Sequence, residues 1–467
     1  MPASDRRQFL QSSLGAVTAL PLISGMEALL AAESTEQSGK MTIAPFRFDV
    51  TPPMGHSLCG GWIKPVEAVD DSLEAIGFVL TGAGKPIVLC AVDWTGLLND
   101  AHVQWRTALA EAAGTTPERV AVQCVHQHNA PFACLDAEKL ILEQGDLPHI
   151  VELDYFEDCL KRGRGAIKEA LKNARPVTHV AHGQAKVDKV ASNRRVFRDE
   201  NGKVKAMRGS SCTNEALRAL PEGLIDPWLK TVAFYDGDEK VASCHYYATH
   251  PMSYYGDGRV SSDFAGLARK KRQAEQPDCT HIYFTGCAGN IAAGKYNDGS
   301  HEARPILTER MYDGIVKSEE SLKPQPIQQA SWHTQDILPT PRASLSQEDL
   351  VAEISNRDNA VVGRNRPSYM LTWLRRVEKQ IPIVLSSLHV NDIALLHLPA
   401  ECFIEYQLHA QSLAPNRFVA TAAYGDGGPW YIPTAAEYPN GGYEVGVAFC
   451  EPGVDELLRG NSEKLLS

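Results

Sequence analysis

Val120-Ala121-Val122-Gln123-Cys124-Val125-His126-Gln127-His128-Asn129-Ala130-Pro131 is the stretch on which the reading of this chain turns. Its first half is β-branched and small apolar residues, the composition of a buried strand. Its second half carries two histidines and then residues that end a strand. On an extended backbone, positions i and i+2 share a face. The reading therefore expects His126 and His128 to project together from the carboxyl end of a strand, where open α/β sheets bind ligands. A lone His-Xaa-His pair reads equally well as one structural imidazole and one exposed one. What the flanking sequence supplies decides between them.

Upstream, Ala75 to Leu80 and Pro86 to Asp93 form a hairpin across Thr81 to Lys85. Ala101 to Ala113 has helical periodicity and leads into the histidine strand. This strand–helix–strand order makes at least part of the sheet parallel. The fold class expected is α/β: a mixed, partly parallel sheet with flanking helices and a metal site at strand ends.

Downstream, three more strand-like runs end in chemistry-bearing residues. Val241 to Ala248, the second arm of a hairpin through Asp236-Gly237-Asp238, ends in Thr249-His250-Pro251. Asp392 to Leu398 ends in Pro399-Ala400-Glu401. Phe418 to Ala423 runs into a glycine-rich loop that carries Trp430-Tyr431. Two histidines and a carboxylate are a ligand set suited to catalytic zinc. Helices are expected over Tyr155 to Asn173, Phe264 to Ala274, Glu302 to Ser318 and Phe403 to Leu413. Asp263 reads as a helix N-cap. Pro324 to Val377 shows one helix, near Gln347 to Arg357, and no chemistry. No internal repeat is visible.

The 467 residues carry a formal net charge of −11, which argues against nucleic acid as a partner because no basic excess meets the phosphates. Eleven cysteines without a Cys-Xaa-Xaa-Cys pair read mostly as small buried hydrophobes. Asp5-Arg6-Arg7-Gln8-Phe9-Leu10-Gln11, followed by an apolar stretch from Leu14 to Met26, looks like a twin-arginine export signal. The organisation expected is a signal peptide over 1–32, a polar linker over 33–41 and one catalytic domain over 42–467. Export by the twin-arginine route to the periplasm or beyond follows. No apolar run in the mature chain approaches a membrane span.

Several motifs, in order, resemble the neutral/alkaline (non-lysosomal) ceramidases, zinc amidases that split ceramide. They are Asp49-Val50-Thr51-Pro52-Pro53, His126-Gln127-His128, Asn193-Arg194, Ala248-Thr249-His250-Pro251-Met252-Ser253, Pro399-Ala400-Glu401, Tyr431 to Tyr438, and Tyr443-Glu444. The resemblance implies zinc held by His126, His250, Glu401 and Tyr431. It also implies His128 as the acid/base group, with Arg194 and Tyr443 stabilising an oxyanion. Two departures bear on substrate: Asn129-Ala130-Pro131-Phe132 and Cys287-Ala288-Gly289-Asn290 stand where the family has other loops. The chain also ends soon after Tyr443, where the family commonly adds an immunoglobulin-like domain. The reading is an exported zinc hydrolase of an N-acyl bond acting on a small N-acylated lipid or sugar. Two alternatives stay open: removal of acyl groups from carbohydrate or cell-wall compounds, and a non-catalytic exported binding protein.

Overall fold

The computed structural model describes residues 40–467. The expected signal peptide and linker positions 33–39 lie outside the described residues. The longer strands form three arrays of one topology. In the first, β1 (Thr42–Asp49), β2 (Glu74–Thr81) and β3 (Ile87–Val92) run antiparallel in turn. Helix α1 (Asp100–Ala113) then returns the chain so that β4 (Val120–Cys124) lies parallel to β3. Gly114 ends α1 in the left-handed conformation, its N–H donating to the Ala110 and Glu111 carbonyls, which a β-carbon would disfavour. Helix α2 (Leu153–Lys172) packs on β1 and α1.

The second array repeats the order. β5 (His179–Lys186), β6 (Trp228–Asp236) and β7 (Glu239–Tyr247) are antiparallel, α3 (Asp263–Glu275) crosses over, and β8 (Thr280–Thr285) is parallel to β7. Helix α4 (Ala303–Glu320) packs on α3 and β5. In the third, β9 (Ala330–Ile337) is followed by helices α5 (Gln347–Ser355) and α6 (Val361–Glu378), and then pairs with β10 (Ile383–Val390). β11 (Ile393–His397), α7 (Ile404–Leu413) and β12 (Phe418–Ala422) complete it, with β12 parallel to β11. Helix α8 (Val454–Leu466) packs on α7 and β9.

The α/β class and the parallel pair around α1 are as expected, but the strands form several sheets rather than one. A repeat is present in the order of the elements, without a visible repeat of sequence. Phe78 on β2 and Phe234 on β6, both fully buried, meet with ring centroids 5.3 Å apart and join the first two arrays. Burial of such a ring contributes about 1.5–3 kcal/mol.

The carboxyl ends of the three parallel pairs are tied to one another. Cys124 N–H donates to Tyr424 O at 2.8 Å, and Ala423 N–H donates to Thr285 O at 2.8 Å. The Thr285 hydroxyl closes the triangle on Val125 O at 2.7 Å. Gln123, polar within a buried strand, donates its amide to Leu398 O and Ala422 O, which leaves neither amide proton unpaired in the interior. All eleven cysteines are free, and all but Cys212 are buried. Among the described residues no helix is long and apolar enough to cross a membrane.

Candidate metal centre

The triangle of strand ends brings the predicted ligands together. His126 follows β4, His250 follows β7 and Glu401 follows β11. Each imidazole donates its Nδ1 proton to a carbonyl that can only accept: His126 to Thr95 O at 2.6 Å, His250 to Ala288 O at 2.7 Å. Their Nε2 atoms, left with bare lone pairs, face each other at 3.2 Å. Glu401 Oε2 lies 3.3 Å from the first and 3.0 Å from the second, and has no hydrogen-bond donor. Three acceptor atoms converging in a buried site repel one another unless a cation lies among them. Two imidazole nitrogens with the other ring nitrogen anchored, plus a carboxylate, fit a zinc ion. Burial alone would raise the Glu401 carboxyl; positive charge carried by His126 and His250 holds it well below the usual carboxylate range, the effect a cation among the three atoms would have.

Tyr431 stands beside Glu401 because a two-residue parallel ladder pairs these positions. Its hydroxyl lies 3.4 Å from His250 Nε2 and accepts from Arg194 Nη1 at 3.2 Å. Burial and the Glu401 charge push the phenol up, and Arg194 opposes them. The Arg194 guanidinium lies over the Tyr431 and Tyr443 rings at 5.9 and 5.7 Å. Burial opposes its charge, but Tyr431 and Glu444 overcome this and raise its pKa. Glu444 Oε1 lies 3.5 Å from Arg194 Nε, while Oε2 accepts from Arg195 at 2.7 Å. Tyr443 is 43% exposed, so it stands at the mouth of the site.

The convergence of His126 and His128 does not arise as the sequence reading expected. β4 ends at Cys124, and His126 has φ of 75°, outside the extended region. Both rings nevertheless meet the site, with centroids 5.1 Å apart. His128 Nε2 is buried without a partner, and its Nδ1 lies 4.0 Å from Cys59 Sγ. Burial first, then the neighbouring imidazoles, keeps His128 well below the usual histidine range.

Asp263 is a second correction. Ser262 holds the N-cap position, and Asp263 is the first residue of α3. Its buried carboxylate accepts from Ser253 N–H at 3.0 Å and lies 3.6 Å from Arg304 Nε. It thereby fixes the loop that follows His250. Sequence reasoning also passed over Tyr424, whose ring stacks on His126 at 4.2 Å with its hydroxyl 3.4 Å from His250 Nδ1. Its place directly after a strand was the available signal. Gly289 was read only as part of a small-residue loop. A β-carbon there would lie 2.3 Å from Glu401 O, so the loop's approach to Glu401 requires glycine.

No family model and no curated protein matches this chain. Solved structures do. The neutral ceramidase from Pseudomonas aeruginosa superposes with a TM-score of 0.66 over 91% of this chain and 74% of its own, at 14% identity. The fold is that of a neutral ceramidase. A ceramidase complexed with C2 matches with the same TM-score at 13% identity, over 91% of this chain and 75% of its own. At these identities the likeness is one of fold.

A second cluster, His245, His281 and Glu319, also gathers ligand atoms. There Lys240 and Arg272 already hold the carboxylate at 2.6 and 2.7 Å, and His245 Nε2 pairs with His281 Nδ1 at 2.9 Å. Two cations neutralise Glu319, so this is a structural network between β7, β8 and α4.

Proposed function

We propose that this chain is an exported, zinc-dependent amidase that hydrolyses the N-acyl bond of a small lipid-like or sugar-like substrate. The observation that carries the reading is the trio of bare acceptor atoms, His126 Nε2, His250 Nε2 and Glu401 Oε2, with Tyr431 beside them. The shared ceramidase fold supports it. When bound, zinc supplies Lewis acidity and an acidified water at neutral pH. His128 Nε2, buried and unpartnered, takes the proton of the attacking water and returns it to the departing amine. Arg194, held by Glu444, and the Tyr443 hydroxyl donate to the oxyanion of the tetrahedral intermediate. The slot beside the centre, walled by Leu98, Phe132, Tyr424 and Trp430, is apolar but only about 20 Å³, so an acyl group enters it only if these side chains shift.

The test is amine release from N-acyl lipids and N-acyl sugars by purified protein, stripped with chelator and reloaded with zinc. Activity should vanish on stripping and return with about one zinc per chain. Protein that carries stoichiometric zinc yet leaves every amide and ester in the panel intact would instead be the binding protein. Export is proposed from Arg6-Arg7. Lysine at both positions should leave folded precursor in the cytoplasm; unimpaired export would rule out the twin-arginine route.

A further inference from the structure

Helix α6 comes from the region in which the sequence showed no chemistry. Its arginines divide sharply. Arg364 pairs with Asp146 at 2.8 Å, and Arg376 pairs with Asp426 at 2.6 Å. Arg366, between them, figures in none of the ion pairs among the described residues, and its Nε is buried without a hydrogen-bond partner. In a chain of net charge −11 a cation so placed calls for a reason.

Its surroundings supply one. The guanidinium lies over the Trp62 ring, 5.1 Å from the centroid. Trp62 lies 5.7 Å from Trp430, which walls the slot together with His126 and Glu401. Tyr443, the exposed phenol at the mouth, feels Arg366 as its foremost neighbouring charge. Arg194, beyond Tyr443, is engaged by Glu444 and Tyr431; Arg366 is engaged by no acid. A guanidinium held over an aromatic ring and without an acid partner leaves its Nη edge to suit the planar, two-oxygen geometry of a carboxylate. With the acyl group on the slot side of the centre, the amine half of the substrate would lie on the Tyr443 side.

We propose that Arg366 is a specificity residue that reads a carboxylate on the amine half of the substrate, so that the amide cleaved belongs to an N-acyl amino acid. Ceramide, a neutral molecule, offers this residue nothing. The inference rests on the amidase reading above, and the experiment separates the two.

Zinc-loaded protein is given N-hexanoylglycine and its neutral isostere N-hexanoylglycinamide. A second pair is N-hexanoyl-O-phosphoethanolamine and N-hexanoylethanolamine. Dissociation constants by calorimetry and kcat/KM are measured for all four. Charged hydrogen bonds of this kind change affinity by about 10- to 100-fold. The carboxylate should be favoured over its amide by that factor. Arg366→Gln should collapse the ratio to within about 3-fold, Arg366→Lys should recover part of it, and Arg366→Glu should invert it, all with zinc content retained. A ratio near one in the native protein, or a ratio that Arg366→Gln leaves intact, overturns the inference. So does a preference confined to the phosphate pair. If no compound is hydrolysed but the Arg366-dependent carboxylate preference in binding stands, the amidase reading fails while the carboxylate-reading role of Arg366 survives.

Discussion

Cys59, His126, Ala400, Tyr424 and Trp430 all hold positive φ, from 47° to 75°, and all five lie at the metal centre or its slot. Each such residue costs of order 1–3 kcal/mol and persists only where neighbours over-determine it. Here backbone bonds do so: His126 N–H to Trp94 O at 2.9 Å, Ala400 N–H to Asp426 O at 3.1 Å, Tyr424 N–H to Ala400 O at 3.0 Å. The turn at His126 aims its Nε2 at His250 and Glu401, while His128, whose ligand atom lies within 4.8 Å of theirs, keeps an unpartnered nitrogen. The proposed function divides the work between the two positions. His126→Ala or His250→Ala should lose the metal, and activity with it. His128→Ala should keep zinc while kcat falls by about 100- to 10,000-fold. Zinc content, melting temperature and kcat measured side by side decide the matter. Equal metal loss in His126→Ala and His128→Ala would make both histidines ligands and leave the proton unassigned.

The elements position these residues by packing and by the loops they anchor. The segment from Thr249 to Ser262 is held by Asp263 at the start of α3, through Ser253 N–H and the buried Arg304. Asp263→Ala leaves Arg304 buried without this partner, and removing one member of a buried pair costs about 3–5 kcal/mol. Asp263→Asn, which still accepts from Ser253, should cost less. Denaturant unfolding of the two variants should rank them in that order, and equal stability would return Asp263 to an ordinary cap. A buried carboxylate and an exposed cap look alike in sequence, because a short acid before a helix serves as either. The strand–helix–strand unit ending in His126 was legible because apolar runs and one amphipathic helix sit in a row. The assembly of three arrays was not, because pairing is fixed by contacts between residues hundreds of positions apart, such as Cys124 with Tyr424. Helix α6 was missed because Pro367 lies inside it and breaks the expected pattern. His126, His250 and Glu401 were legible as a set because each follows a strand, whereas Tyr431 joined them as a ligand only through the family resemblance. The left-handed backbone that aims His126 leaves no compositional trace.

Over the whole molecule, burial sets how stability responds to acid. His102 on α1, His245 on β7 and His397 on β11 are buried away from the metal centre. Burial lowers them to about 4, about 4 and about 3. Their unfolded-state pKa is near 6.5. Below that pH the unfolded chain binds protons that the folded chain refuses, so stability falls as pH drops from about 6.5 toward the folded values. Each group contributes up to about 1.4 kcal/mol per pH unit across that window. Asp100, which burial raises to about 6, acts in the opposite direction, as do Asp93, Asp263 and Glu405, while the lowered His281 and His389 add to the histidine side. Glu319 is held down to about 2: burial raises it, and the opposing charges around it prevail. The stability it contributes is therefore lost only at still lower pH. The expected result is a flat melting temperature above pH 7 and a steep decline between pH 6.5 and 4.5. His126→Ala protein, free of metal, is the sample to use, because zinc release then adds nothing to the slope. A melting temperature that holds constant from pH 7 to pH 5 would mean that these imidazoles are already protonated in the fold. Restoring His397 by a neutral replacement such as Gln should flatten the decline by about one proton's worth of slope.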